Sequence, residues 1–359
     1  MKTHNFKYKP INNFPKSGLV SAESPSNIAL VKYWGKKPIQ IPTNPSLSFT
    51  LKNCHTVTSI KFKKSNNFSF NFTIDGKKNP SFLPKIEAFF SRIKEFTPFL
   101  FQYNIDISTK NTFPHSSGIA SSASGFSALA LAIVQLEQKI SDFSDEDKYL
   151  KASFLSRLGS GSASRSIYGP CAIWGHHKSI EFSNNEFAIP HHKIHPTFKS
   201  YQDTILLIDK GVKKVSSTVG HNLMNNHPFS EQRYNQANQN LKELITLLET
   251  EDTEKFISLT ESEALTLHAM MMTSNPYFIL MKEGTISVIE RIWEFRKETN
   301  IPLSFTLDAG ANVHLLYPKS YKQTVMDFIQ SELIVFCENQ QYICDEVGSG
   351  AKILKESYA

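Results

Sequence analysis

The chain has 359 residues, 40% hydrophobic and 20% charged, with 39 Lys plus Arg against 33 Asp plus Glu and a net charge of +6. At roughly 150 residues per domain, this length predicts two domains, each able to build its own core. So small a basic excess argues against a nucleic-acid binder, which concentrates a strong basic patch. It suffices for a pocket that takes a polyanionic metabolite, because local charge outweighs the total.

Cys54, Cys171, Cys337 and Cys344 form no Cys-x-x-Cys pair, which argues against a zinc knuckle or a dithiol redox site. Isolated thiols in a chain of this size fit a reducing compartment. Residues 1–14 are basic but lack the apolar core of a secretory signal. The longest apolar run, 128–136, is too short to span a bilayer. The expectation is a cytoplasmic protein with no membrane partner and no nucleic-acid partner.

In chain order, 28–31 is an apolar strand that ends at Lys32. Residues 56–74 alternate polar and apolar around Asn66-Asn67, which predicts a hairpin. Helical spacing with Pro84 near the start predicts a helix over 84–96. Residues 103–109 alternate like a strand, a Gly/Ser-rich loop follows, and helices are expected over 122–139 and 145–158. A short buried strand at 203–209 is bounded by Lys210-Gly211. Amphipathic helices follow over 230–249, 253–272 and 279–299. Strands at 303–308 and 313–317, a helix at 319–332 and two last strands close the chain. The domain boundary is placed near residue 200, giving 1–200 and 201–359. Both halves mix antiparallel strands with helices, so the expected class is α+β rather than doubly wound α/β.

Five segments carry chemistry. The first, 111–124, holds Asn111, Pro114, Ser116, Ser117, Gly118, Ser121, Ser122 and Ser124 between a strand and an apolar helix. Small residues let backbone N–H groups turn inward, and the helix start adds its positive dipole end. Hydroxyls of Ser121, Ser122 and Ser124 suit phosphate oxygens or a magnesium ion. Alone, the segment reads equally well as a Ser-capped helix after a flexible loop. It lacks the Gly-Lys-Ser/Thr ending of a Walker A loop.

The second segment, 24–37, brings Lys32, Tyr33 and Lys36 together at a strand end. Two ammonium groups and a phenol suit phosphate and carboxylate. Solvated lysines are the plain alternative, and Trp34 reads as packing. The third, 157–169, exposes backbone N–H groups around Ser160, Gly161 and Ser162, and Arg165 can grip a carboxylate or phosphate with two bonds. Tight helix packing is the alternative there. The fourth, 213–220, includes Ser217 after two lysines, as at the edge of an anion pocket or in a polar loop. In the fifth, Asp308 ends a strand and enters a Gly-containing turn. A carboxylate there can orient or deprotonate a hydroxyl, although capping its own turn is the commoner role. His176, His177, His191, His192 and His195 read as an exposed loop region without zinc spacing. The run Met270-Met271-Met272 reads as core filler.

Together these segments resemble the GHMP kinase superfamily, and within it the diphosphomevalonate decarboxylase family. The carrying residues are NIALVKYWGK (27–36), NPSLSFTL (44–51), NTFPHSSGIASSASGFSALA (111–130), RLGSGSASRSIYG (157–169), VSSTVGH (215–221) and FTLDAGANVHLL (305–316). The resemblance runs from about residue 20 to 350. It implies a two-domain α+β GHMP kinase-like fold with the active site in the inter-domain cleft. It also implies that ATP phosphorylates the tertiary 3-hydroxyl of mevalonate 5-diphosphate. That phosphate then leaves as C1 is lost as CO2, giving isopentenyl diphosphate.

By resemblance, Asp308 faces the 3-hydroxyl, Lys32 lies beside it, and Arg165 holds the carboxylate region. Tyr33, Lys36, Ser160, Gly161, Ser162 and Ser217 hold the diphosphate end. The 111–124 loop holds ATP with Mg2+, Ser122 touching the metal. Three positions depart from the family pattern: His221 stands where Met is usual, Ser164 where Cys is common, and Lys37-Pro38 where Arg-Asp is common. They bear on the number of phosphates at the 5-position. The rivals are a relative acting on mevalonate 5-phosphate, one that only phosphorylates the 3-hydroxyl, and an inactive binding protein on the same fold. A homodimer is the default expectation for a soluble oligomer.

Overall fold

The computed structural model describes residues 6–114, 119–211 and 217–359. The chain opens with β1 (Ser17–Val31), the short β2 (Lys36–Lys37) and β3 (Ile41–Pro42), β4 (Ser46–Lys64), β5 (Ser69–Ile74) and β6 (Lys77–Lys78). Then come α1 (Leu83–Ile93), β7 (Tyr103–Asn111), α2 (Ser121–Ile140), α3 (Asp145–Gly159), β8 (Cys171–Trp174) and β9 (Ala188–Pro190). After α4 (Pro196–Lys199) follow β10 (Gln202–Leu206), α5 (Ser217–Asn222), α6 (Ser230–Thr250), α7 (Thr253–Met272) and α8 (Glu283–Thr299). The last elements are β11 (Ser304–Leu307), β12 (Val313–Tyr317), α9 (Lys322–Phe328), β13 (Tyr342–Glu346) and β14 (Lys352–Tyr358).

The larger sheet runs β14-β1-β4-β7-β5-β6, with β8 and β9 continuing from β4. The smaller sheet runs β11-β12-β10-β13. Residues of α1, α2 and α3 pack on the larger sheet in one apolar cluster. A second cluster joins the inner ends of β1 and β4 to β10, α6 and α7. A third packs α8 and α9 on the smaller sheet. The mixed helix and strand content is the α+β class expected.

The long-range pairings differ from the local patterns. Segment 56–74 is not a hairpin: β7 lies between β4 and β5, antiparallel to the first and parallel to the second. Aromatic packing decides this. Phe68 and Phe70 meet Phe90 of α1 at 5.1 and 5.0 Å, and Phe68 meets Phe101 at 4.6 Å. Such contacts add to the area buried, and alternation does not encode them. The last two strands go to different sheets, β13 beside β10 and β14 beside β1. The chain end thus crosses back over the division placed at residue 200. Helix α8 starts at Glu283, four residues later than expected, where Thr285 Oγ1 accepts from Lys282 N–H at 3.1 Å. Helix α9 is short and runs into a π-type turn over Ile329–Leu333.

One carboxylate couples the sheets. The β1–β4 ladder jumps from Pro25 opposite His55 to Asn27 opposite Thr50. The skipped N–H groups of Lys52, Asn53 and Cys54 all donate to Asp345 of β13, at 2.9, 2.8 and 2.7 Å. Asp345 is 4% exposed. Its own neighbour Glu346 N–H also donates to Oδ1 at 2.8 Å, so replacing Asp345 with Ala removes the acceptor of four N–H groups. We expect Asp345→Ala to cost about 3 kcal/mol in urea unfolding, with Asp345→Asn losing less because its amide oxygen still accepts.

Candidate active site

The apolar end of β1 carries Lys32 inward rather than to solvent. Ile28, Leu30 and Val31 are buried and Lys32 is 1% exposed. Its ammonium donates to Ala29 O and lies 3.4 Å from Asp308 Oδ1. Burial pulls the Lys32 pKa down, and the Asp308 charge opposes that shift. The backbone of Lys32 is held as well. Its N–H donates to Glu263 Oε2 at 2.8 Å, and its carbonyl accepts from Asn44 Nδ2 at 3.0 Å and Arg233 Nη2 at 3.3 Å. Arg233 and Glu263 form an ion pair with both side chains fully buried.

Asp308 follows β11 and enters the turn as expected. Its carbonyl accepts from Gly310 N–H at 2.7 Å and from His268 Nε2 at 3.1 Å. Its carboxylate does not cap that turn; it reaches Lys32 and is 28% exposed. The anion of the pair therefore meets solvent while the cation does not.

Arg165 sits in the short 3-10 helix Gly161–Ile167 and is 2% exposed. Its guanidinium donates to Ser48 Oγ at 3.1 Å, Asn27 Oδ1 at 3.3 Å and Ser46 Oγ. Trp174 lies beneath it, 5.9 Å to the ring centroid. All three acceptors are neutral, and among the described residues no carboxylate reaches ion-pair distance of Arg165. Burial lowers its pKa to about 10, against the opposing charge of Asp308. A buried cation whose acceptors are all neutral retains the capacity to pair with an anion.

The turn after Lys32 is tight. Gly35 has φ +100°, and a Cβ there would meet Thr43 Oγ1 and Tyr234 Oη at 2.5 Å. Tyr33 packs on Trp174 and His221 at 4.7 and 4.2 Å. Its phenol oxygen is buried without a hydrogen-bond partner among the described residues. Burial raises its pKa far above the usual phenol range, so it stays a donor. Gly161 is needed beside it: a Cβ would come within 2.9 Å of Tyr33 Oη and 2.7 Å of the Trp174 ring. Ser160 and Ser162 flank Gly161 and are half-buried. Ser162 O accepts from Asn27 Nδ2 at 3.2 Å. Lys36 is half-buried, with Nζ on Gln40 Oε1 at 3.1 Å, and burial lowers its pKa. Trp34 packs against Met224, Leu267, Met270 and Met271, as its packing role predicted.

Of the expected nucleotide residues, Ser116, Ser117 and Gly118 lie outside the described residues, as does the side chain of Ser217. Ser121 and Ser122 form the first turn of α2, half-buried, after Ala120 in a left-handed conformation with no side-chain cap. Ser124 is turned away: it is fully buried, with Oγ 2.6 Å from Thr56 Oγ1. Asn111 Oδ1 accepts from the same Thr56 hydroxyl at 2.7 Å. Pro114 precedes the undescribed stretch and is exposed. Among the expected loop histidines, His177 is 5% exposed with Nε2 donating to Asn238 O. Sequence reading missed Glu263, Arg233, His268 and the acceptors Asn27, Ser46 and Ser48. Ser46 and Ser48 do show a signal, two hydroxyls on one face of an apolar strand.

The description Diphosphomevalonate decarboxylase-like N-terminal domain matches residues 24–185, and Mevalonate 5-diphosphate decarboxylase C-terminal domain matches 204–356. The chain belongs to the diphosphomevalonate decarboxylase family. The Staphylococcus aureus mevalonate diphosphate decarboxylase structure is 30% identical, with TM-score 0.81 over 94% of this chain and 98% of that one. A relative solved with MVAPP, AMPPCP and magnesium is 27% identical, with TM-score 0.82 over 94% of this chain and 99% of that one. The Candida albicans diphosphomevalonate decarboxylase is 27% identical, covering 86% of this chain and 87% of its own. The fold is that of the GHMP-type decarboxylase structures, as expected. Among the described residues no helix is long and apolar enough to cross a membrane.

His221, read from the sequence as a departure from the family pattern, lies on α5 (Ser217–Asn222). It is 7% exposed, and its Nδ1 accepts from Gly35 N–H at 2.9 Å. Burial lowers its pKa to about 3, helped by the charges of Lys36 and Arg165. An unfolded, solvated histidine titrates near 6.5. Between these values the unfolded chain binds a proton that the folded one refuses, so stability falls as pH drops below 6.5. We expect His221→Asn to lose less stability than the native protein between pH 7 and pH 4.5, measured by urea unfolding at each pH.

Proposed function

We propose that this protein spends ATP to decarboxylate mevalonate 5-diphosphate, releasing isopentenyl diphosphate, ADP, phosphate and CO2. The observation that carries this reading is the meeting of Lys32, Asp308 and Arg165: two buried cations and one partly exposed carboxylate, which acts electrostatically on both.

A tertiary hydroxyl leaves poorly as hydroxide and well as phosphate. Asp308 would accept or orient the 3-hydroxyl proton while the oxygen takes the γ-phosphoryl group. The transition state of that transfer is loose, so positioning and charge matter more than full proton removal. Lys32, 3.4 Å from Asp308, would stabilise charge on the migrating group. The C3–O bond then breaks, and the C1–C2 electron pair becomes the C2–C3 double bond as CO2 departs. Arg165 would hold the carboxylate so that this bond aligns. Tyr33, Lys36, Ser160, Gly161, Ser162 and Ser217 would take the diphosphate.

ATP would lie at the 111–124 segment, on the N-terminal turn of α2 with Ser121 and Ser122. The burial of Ser124 against Thr56 makes it a support for that turn rather than a ligand. Magnesium fits this donor set. Among the described residues no group of three His, Cys, Asp or Glu is placed to hold a metal, and Mg2+ carried on substrate phosphates needs no such cage. Ser122 would be its protein ligand, and the ion would neutralise phosphate charge.

The decisive experiment supplies purified protein with ATP, Mg2+ and either mevalonate 5-diphosphate, mevalonate 5-phosphate or mevalonate. Equal yields of ADP and CO2 are expected with the diphosphate; ADP without CO2 would refute decarboxylation. Asp308→Ala should lower kcat by about 10³-fold and leave ATP-analogue affinity within a few-fold. Unchanged turnover would remove Asp308 from the mechanism.

A further inference from the structure

The turn 33–36 carries two of the groups assigned to the phosphate end, Tyr33 and Lys36, and it is pinned at the residue between Trp34 and Lys36. On one side of Gly35 the carbonyl accepts from Thr43 N–H at 3.3 Å. On the other the N–H donates to His221 Nδ1 at 2.9 Å. The imidazole is wedged between aromatic faces, 4.2 Å from the Tyr33 ring centroid and 4.7 Å from that of Trp34. Gly220 permits this approach, since a Cβ there would come within 2.5 Å of the Trp34 ring.

We propose that His221 is a positioning residue for substrate binding: through Nδ1 it holds the Gly35 peptide, and so fixes where Tyr33 and Lys36 meet the substrate's phosphate groups. The identity of that substrate rests on the reading above.

Three observations support the role. An acceptor at Nδ1 puts the ring proton on Nε2, so the ring works as one neutral tautomer. Lys36 and Arg165 both lie in electrostatic range and oppose a positive ring, which keeps the acceptor available. The ring also belongs to α5 (Ser217–Asn222), the helix that Ser217 begins. One side chain therefore ties together two segments assigned to the phosphate end. Among the described residues the buried phenol oxygen of Tyr33 has no hydrogen-bond partner, and the ammonium of Lys36 donates to the Gln40 amide oxygen. A methionine in this slot would fill the space against Trp34 but accept only weakly.

The test compares His221→Leu, His221→Asn and His221→Gln in steady-state kinetics. Asn carries its amide oxygen near the place of Nδ1, Leu has no acceptor, and the Gln amide reaches toward the place of Nε2. Loss of the acceptor should raise KM for mevalonate 5-diphosphate about tenfold, with kcat within about threefold and KM for ATP unchanged. Asn should recover most of the native KM and Gln should not. If the Leu protein fails to fold, the contrast between Asn and Gln decides the matter. Equal impairment of Asn and Gln, unaltered kinetics in Leu, or a parallel rise in KM for ATP would overturn the positioning role. A native protein that turns over none of the mevalonate phosphates refutes the functional reading instead. Selective 15N labelling of histidine separates the two failures: an unprotonated Nδ1 on His221 at pH 7 supports the inference whatever the substrate, and a protonated Nδ1 refutes it.

Discussion

An ammonium group at the end of an apolar strand has to be neutralised from across the molecule. Lys32 is 1% exposed, and taking such an ion out of water costs several kcal/mol after relaxation. Its carboxylate partner, Asp308, stands just beyond β11 of the smaller sheet, while Lys32 stands just beyond β1 of the larger one. The two sheets must meet for the charge to be balanced. A second buried pair makes the meeting rigid. Glu263 accepts from Lys32 N–H, from Arg233 Nη1 at 2.9 Å and from Asn240 Nδ2 at 2.6 Å. Removing one partner of such a network leaves an uncompensated charge, which is far costlier than the net worth of the pair. The architecture and the site therefore share their most expensive contacts.

The remaining cations are left without such balance. Among the described residues Arg165 has serine and asparagine oxygens but no carboxylate at ion-pair distance, and Lys36 donates to an amide oxygen. With Lys32 they set three cations against Asp308, since the other nearby carboxylate, Glu263, is already paired with Arg233. That surplus lies in a partly water-excluded region, where fields are strong and little reorganisation is needed. The modest net charge of the chain hides this, because the surplus is local. It also explains why Asn27, Ser46 and Ser48 are buried on the inner ends of β1 and β4: they fix the guanidinium plane without cancelling its charge.

Much of this was legible in the sequence, and the failures have physical causes. Lys32, Tyr33, Arg165 and Asp308 stood out because each ends or follows an element beside small residues. The choice between solvated and buried lysine at 32 needed tertiary context, since nothing local says what covers a strand end. Ser124 was misleading because its serine neighbours at 121 and 122 suggested one common role. Helical periodicity instead places it three residues before the buried Ser127 and four before Ala128, on the face toward Thr56. Glu263 carried a signal that went unread: it interrupts the buried stripe of Phe256, Leu259, Thr260, Leu267 and Met270 on α7, and an acid on a core face needs a partner. The pairing of β5 with β7 had no local signal, because it depends on where Phe68 and Phe70 find aromatic partners.

The site's charge is divided by origin. Lys32, Lys36 and Arg165 come from the half of the chain that builds most of the larger sheet; Asp308, Glu263 and the neutral His221 come from the half that builds the smaller one. Each cation can therefore be tuned from the other side without altering its own strand or helix. Asp308 balances Lys32, Glu263 holds its backbone, and His221 holds the peptide before Lys36. A shift of β11, α5 or α7 by even an ångström would lengthen the contact each one makes, since hydrogen bonds weaken steeply with misalignment. The proposed chemistry thus depends on the fit of the two halves more than on any one residue, and Asp345, which completes the skipped β4 ladder from β13, is a contact that fixes that fit outside the Lys32–Asp308–Arg165 group.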